Sequence, residues 1–213
     1  MAATTAWPRA RTPPGRCRRL VGAHASAQQA VPRRAALAAA AAALAGAEAW
    51  RRGFLNVVQQ DDDAAPPKRR GVSVDEVRQQ LRVDLAERQY PVSGELSPAI
   101  FSDDCLFLNP LTRVRSLTRY RAALKQLFDP EKSLYELESI DVVDERHINA
   151  IGYVSGKLMA VPWQPSIARF RVEATYTLDA TGLIVQYEER PFDARTGKSL
   201  SGVDIFRQTL FGS

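Results

Sequence analysis

The segment from Arg146 to Glu189 most constrains the fold. It holds three long stretches of strand-forming residues: Arg146–Ala160, Pro165–Leu178 and Leu183–Glu189. They are joined by Val161-Pro162-Trp163-Gln164-Pro165 and Asp179-Ala180-Thr181-Gly182, both built from residues that interrupt strands and make turns. In the middle stretch Ala168, Phe170, Val172, Ala174, Tyr176 and Leu178 share one face. Arg169, Arg171, Glu173, Thr175 and Thr177 share the other. Side chains of a strand alternate between its faces, so this pattern predicts a sheet with one packed and one wet face, the habit of antiparallel sheets. Leu134–Asp144, carrying Glu136, Glu138 and Asp141, predicts another strand ahead of them.

Helices precede the strands. Ser73-Val74-Asp75-Glu76 is a capping box, in which the serine hydroxyl takes an orphan amide and the glutamate returns to the serine backbone. Val74, Val77, Leu81 and Leu85 follow at helical spacing, and Pro91 is expected to close the segment. Proline opens a short turn at Ser97-Pro98-Ala99-Ile100-Phe101, and Asp103 to Pro110 predicts a short strand ending in an Asn-Pro turn. Ser116 to Phe128 predicts a second helix, with Leu117, Tyr120, Ala123 or Leu124, and Leu127 on its apolar side. At the C-terminus, Val203, Phe206 and Leu210 within Ser199–Phe211 predict an amphipathic helix that closes the sheet or meets a partner, closure being preferred.

Charge is uneven along the chain. Residues 1–49 hold seven of the 29 basic residues and one of the 24 acids, so the remainder, with 22 and 23, is near neutral. A near-neutral body gives no electrostatic reason to bind nucleic acid. Residues 1–47 lack Asp and Glu and are rich in Ala, Arg, Ser and Thr, the composition of a transit peptide. Arg33-Arg34, the apolar run from Ala35 to Ala45, and the small-residue sites at Ala45-Gly46-Ala47 and Ala47-Glu48-Ala49 are the parts of a Tat-type export signal. Together they predict a plastid transit peptide plus a thylakoid signal over 1–49, addressing the protein to the chloroplast, with the thylakoid lumen favoured and the stroma as the alternative. The apolar run is too short to span a bilayer, and no transmembrane helix is expected in the mature protein. Acid run, proline pair and basic run predict a disordered linker over 50–71, which leaves 72–213 as the folded domain.

The order of helices, short strand, helix and long strands resembles the nuclear transport factor two-like, or SnoaL-like, cone fold. Asp103-Asp104-Cys105-Leu106-Phe107-Leu108-Asn109-Pro110, followed by Tyr120 on a helix, is similar to that family's acidic strand, turn and helix tyrosine, with Asn109 in place of an acid. Val161-Pro162-Trp163-Gln164-Pro165 and Leu178-Asp179-Ala180-Thr181-Gly182-Leu183-Ile184-Val185 resemble one branch, plastid and cyanobacterial proteins holding a single domain of unknown function. That branch continues with His-x-Asp-x-Trp, where this chain has Tyr187-Glu188-Glu189-Arg190-Pro191-Phe192. The resemblance implies an α+β class: a curved antiparallel sheet with helices on its concave side, enclosing a pocket. It also implies that the pocket can hold a ligand or, as in isomerases, dehydratases and cyclases of this fold, acid–base chemistry.

Candidate residues follow. Asp104 and Tyr120 are the candidate catalytic pair, since a carboxylate among apolar walls can hold a proton near neutral pH. Tyr153, Tyr176 and Phe170 are candidate pocket residues. Glu188 and Glu189 alternate, so only one can face the pocket. Arg169 and Arg171 share the wet face, either as a solvated ladder or as a grip for an anion. His147 reads as a surface imidazole with no obvious carboxylate to orient it, and Trp163 as a strut or a partner contact. Of the two cysteines and two histidines, Cys17 and His24 lie in the targeting segment, so neither a disulfide nor a metal site is expected, and no cofactor. The leading expectation is a plastid accessory protein that binds a small apolar molecule or a protein partner without catalysis. The alternatives are a pocket enzyme of isomerase, hydratase or cyclase type and a structural homodimer.

Overall fold

The computed structural model describes residues 67–110, 112–159, 164–202, 204–205 and 207. The expectations for the transit peptide, the Tat-type signal and most of the linker fall on residues 1–66, outside the described residues. Trp163, Val203, Phe206 and Leu210 also lie outside them.

The elements in chain order are α1 (Val74–Ala86), α2 (Tyr90–Ser93), a 3-10 turn (Pro98–Ile100), β1 (Phe101–Leu108), β2 (Arg113–Arg115), α3 (Leu117–Leu127), β3 (Leu134–Asp144), β4 (His147–Lys157), β5 (Ser166–Leu178) and β6 (Ile184–Asp193). They build an α+β domain around one six-stranded curved sheet, ordered β2-β1-β6-β5-β4-β3. The strands from β3 to β6 form an antiparallel meander, as the alternation predicted. The sheet as a whole is mixed, because β1 pairs parallel to β6. A parallel pair needs a long crossover, and here the crossover is everything between the two strands: β2, α3 and the meander. No local signal in either strand carries that pairing.

α1 begins as its sequence dictates. The Ser73 hydroxyl accepts the Glu76 amide at 3.3 Å, and the Glu76 carboxylate accepts the Ser73 amide at 2.9 Å. Val77, Leu81 and Leu85 are buried against the sheet. The helix stops at Ala86, not at Pro91: Gln89 takes a left-handed conformation, φ 52°, and Pro91 sits in the first turn of α2, where its missing amide costs nothing. α3 is capped by Ser116, whose hydroxyl accepts the Arg119 amide, and buries Leu117, Tyr120, Ala123 and Leu124.

Two irregularities re-aim side chains. In β5, Phe170 faces Val154 and Ile167 faces Gly156, so β5 carries one extra residue there. Past this bulge the phase flips: Ile167 is buried and Ala168 is exposed, the reverse of the simple alternation. β1 advances by five positions from Phe101 to Leu106 while β6 advances by only two, from Ile184 to Gln186. Asp103 and Asp104 are thrown outward by that excess.

The Asp179 turn does more than join β5 to β6. Asp179 Oδ1 accepts the Thr181 amide at 2.8 Å, the Thr181 hydroxyl at 2.8 Å and the Leu183 amide at 3.0 Å. Gly182 takes φ +82°, and the Val72 carbonyl oxygen lies 2.6 Å from where a Cβ would stand. The Gly71 amide also donates to the Thr181 carbonyl at 2.8 Å. The last residues assigned to the linker are therefore docked on the domain. Lys68 reaches the Pro98 carbonyl at 3.1 Å and pairs with Asp103 at 2.6 Å.

Candidate functional site

The helices do not fill the inner face of the sheet, and a cavity of about 100 Å³ remains. β5 supplies Ile167, Phe170, Val172, Ala174 and Tyr176 to its wall, α3 supplies Tyr120, Leu124 and Leu127, and β3 supplies Tyr135. β6 adds Tyr187 and Glu189, and Ile205 comes from the C-terminal segment, consistent with its expected closing role. An apolar cavity with a few convergent polar groups is the default ligand site of a domain.

Five of the six tyrosines gather here. The Tyr90 and Tyr176 hydroxyls share a hydrogen bond of 2.6 Å. The Tyr187 hydroxyl donates to Glu189 Oε2 at 2.8 Å. Phe107 stacks on Tyr120 with ring centres 3.8 Å apart, and Tyr187 lies 5.9 Å from Tyr120 and 5.1 Å from Tyr176. The hydroxyl end of the Tyr135 ring lies over Gly152, the residue on β4 whose missing side chain makes room for it.

Electrostatics follow from burial. Burial pushes the Tyr90, Tyr120, Tyr135, Tyr176 and Tyr187 hydroxyls above the usual tyrosine range, and the Glu189 charge adds to this at all but Tyr90. Glu189 is itself raised by burial, with the Tyr187 hydroxyl drawing it partly back. In the window between the ordinary and the raised value, the folded protein holds a proton that the unfolded chain has released. Stability therefore falls as pH rises through that window. Glu189→Gln is expected to flatten this part of the stability–pH profile in chemical denaturation, while an unchanged slope assigns it to another group.

The structure brings Tyr120, Tyr176 and Phe170 into one cavity. It places the other candidates outside. Asp104 is exposed on the bulged half of β1, hydrogen-bonded by the Ser102 hydroxyl, with Arg115 3.9 Å away. The Ser102 bond holds its carboxyl below the usual range, opposite to what a pocket acid needs. Tyr153 lies on the outer face of β4 beneath Arg169, whose guanidinium is 3.7 Å from the ring centre. Strand parity is the reason: Tyr153 lies between the buried Gly152 and Val154. Arg169 pairs with Glu136 at 2.9 Å, and Arg171 pairs with Glu138 at 3.8 Å and with Glu173. They form the solvated ladder. Glu188 pairs with Arg190 on the same outer side, which settles that Glu189 faces inward. His147 is at the surface, and Asp144, which the sequence reading overlooked, holds its Nδ1 at 2.8 Å. Cys105 is buried, and burial pushes its thiol up to about 12.

Sequence reasoning missed Tyr90, Tyr135 and Tyr187. Tyr135 alternates with Glu136, and Tyr187 and Glu189 alternate with Glu188 and Arg190, so the signal was in the strand period. Among the described residues, no cluster of three or more His, Cys, Asp or Glu is placed to hold a metal ion. No described helix is long and apolar enough to cross a membrane. Among the described residues, Leu134, Val143 and Met159 are the exposed large apolar side chains.

Comparison with solved structures returns similar backbones at low sequence identity. TsrD from Streptomyces laurentii is 14% identical, covering 67% of this chain and 99% of its own, with a TM-score of 0.47. A SnoaL-like protein assigned as a polyketide cyclase from Jannaschia sp. CCS1 is 14% identical over 58% of this chain and 90% of its own, with a TM-score of 0.42. An NTF2-like protein from Anabaena variabilis is 12% identical over 66% and 98%, with a TM-score of 0.41. At such identities and TM-scores these are backbone likenesses only, and the α+β class rests on the elements and sheet order described above. No curated protein sequence matches the chain. The family model described as "Uncharacterized conserved protein (DUF2358)" matches residues 75–187, just over half of the chain, and the chain belongs to that family.

Proposed function

We propose that the protein binds one small, mostly hydrocarbon molecule in this cavity without catalysis, and that Glu189 orients it. The observation that carries this reading is the composition of the wall: mostly apolar and aromatic side chains, with the Asn109 amide and a single carboxyl, Glu189, held by Tyr187. Such a wall gives a ligand apolar burial from every side and one directional contact, the usual division between affinity and orientation. Ala174 is the smallest side chain on the wall, so a larger one there adds bulk. Native mass spectrometry of the purified full-length protein, followed by denaturing extraction, is expected to release one small molecule per chain from wild type and none from Ala174→Leu. Identical, bare masses for the two proteins reject the reading.

One observation favours a second reading, a proton-transfer enzyme of isomerase, hydratase or cyclase type. The inward carboxyl with a raised pKa beside a tyrosine is Glu189, so Glu189 and Tyr187 take the roles expected of Asp104 and a tyrosine. For location, we propose the chloroplast, with the thylakoid lumen ahead of the stroma. The acid-free first 47 residues and the Arg33-Arg34 pair before an alanine-rich run support it.

A further inference from the structure

Glu189 is the one acidic side chain on the cavity wall, and among the described residues no Lys, Arg or His lines the cavity with it. The basic residues of the neighbouring strands, Arg169, Arg171 and Arg190, are committed to Glu136, Glu138, Glu173 and Glu188 on the outer face. A carboxyl aimed into an apolar space without a counter-ion is a costly arrangement that a ligand can relieve. The rest of the polar lining points the same way. Tyr120, Tyr135, Tyr176 and Tyr187 surround the space with electron-rich rings. Two of the hydroxyls in the cluster, Tyr187 and one of the Tyr90–Tyr176 pair, already donate within it, and Asn109 is the one amide side chain of the lining. Aromatic walls plus one carboxylate make a site of negative potential, and the ligand chemistry that fits it is an organic cation with an apolar shell.

Resting on the ligand-binding reading above, we infer that the cavity takes a small alkylammonium compound, its charged nitrogen set between the Glu189 carboxylate and the tyrosine rings. The titratable groups that feel the Glu189 charge are tyrosines: Tyr187 on its own strand, Tyr176 on β5, Tyr135 on β3 and Tyr120 on α3. None of them is ionised near neutral pH, so the carboxyl alone sets the charge of the site. Loss of its proton accompanies binding of the cation, and affinity rises with pH through the carboxyl's titration.

The test uses choline and its uncharged carbon counterpart, 3,3-dimethylbutan-1-ol, titrated calorimetrically into the full-length protein. Choline is expected to bind about tenfold tighter than the alcohol at about pH 8. The preference is expected to shrink toward about pH 5 and to vanish in Glu189→Gln, in which the two compounds bind equally. Equal or tighter binding of the alcohol in wild type overturns the cation and leaves the cavity as a neutral ligand site. Retention of the choline preference in Glu189→Gln also overturns it, since the charge then lies elsewhere. Binding of neither compound overturns the inference as well, and co-purification of a neutral molecule with wild type would show that only the ligand class was wrong.

Discussion

Replacing Asp84 by alanine is expected to lower the unfolding midpoint of the protein by about 10 °C, a loss of about 3 kcal/mol for a domain of this size. Asp84 is the one charged side chain that is fully buried among the described residues. Its Oδ1 accepts the Ser97 hydroxyl at 2.7 Å, Arg88 Nη1 at 3.1 Å and Gln80 Nε2 at 3.2 Å, and its Oδ2 accepts the Ser97 amide at 2.8 Å. One carboxylate therefore ties α1 to the turn that feeds β1. Removing it strands several donors at once, and the penalty for unmade bonds exceeds the modest worth of each made one. Arg88 is half exposed and can turn to water, so the cost is less than that of orphaning a fully buried ion. Asp84→Asn, which keeps one acceptor oxygen, is expected to lose less. Equilibrium urea unfolding of the two variants checks both magnitude and order. An Asp84→Ala protein as stable as wild type would mean the knot contributes nothing net.

The second large effect is at Gly152. An added methyl there would stand 2.5 Å from the Tyr135 ring and hydroxyl and 2.8 Å from the Glu136 carbonyl oxygen. The ring must leave, and the backbones of β3 and β4 must part slightly. Gly152→Ala is expected to cost about 2 kcal/mol, in the range of overpacked cores, and to weaken ligand binding by pushing Tyr135 into the cavity. Tyr135→Leu on the Gly152→Ala background shortens the obstructing group and should recover part of the stability. The double-mutant cycle then gives a coupling between sites that touch only through this contact. Strict additivity would show that the methyl is accommodated elsewhere.

Local structure was readable where the code is local. The Ser73 capping box, the stripe from Leu117 to Leu124 and the bounds of Leu134–Asp144 all follow from spacing within one element. What escaped depends on how two strands register. The β5 bulge exchanges Ala168 for Ile167, both apolar, so the sequence pattern is satisfied either way. The excess residues in β1 decide that Asp104 looks outward, and only the pairing with β6 reveals them. The parallel β1–β6 contact joins residues about eighty positions apart in sequence, beyond the reach of periodicity. For the site, Tyr120, Tyr176 and Phe170 were legible from their positions on apolar faces. Tyr135 and Glu189 obey the same period, but β3 changes phase after Leu137 and the inward face of β6 mixes Tyr187 with Glu189, and either hides the direction of the strand.

The central claim is that the space between α3 and the sheet is a binding site built around Glu189. Methyl-resolved NMR of the full-length protein during titration with cyclohexanol, a neutral ring bearing one hydroxyl, addresses it directly. Saturable shifts centred on Leu124, Val154, Ile167 and Val172, absent in Ala174→Leu, are the predicted result. Shifts confined to surface methyls, or identical shifts in Ala174→Leu, would contradict it.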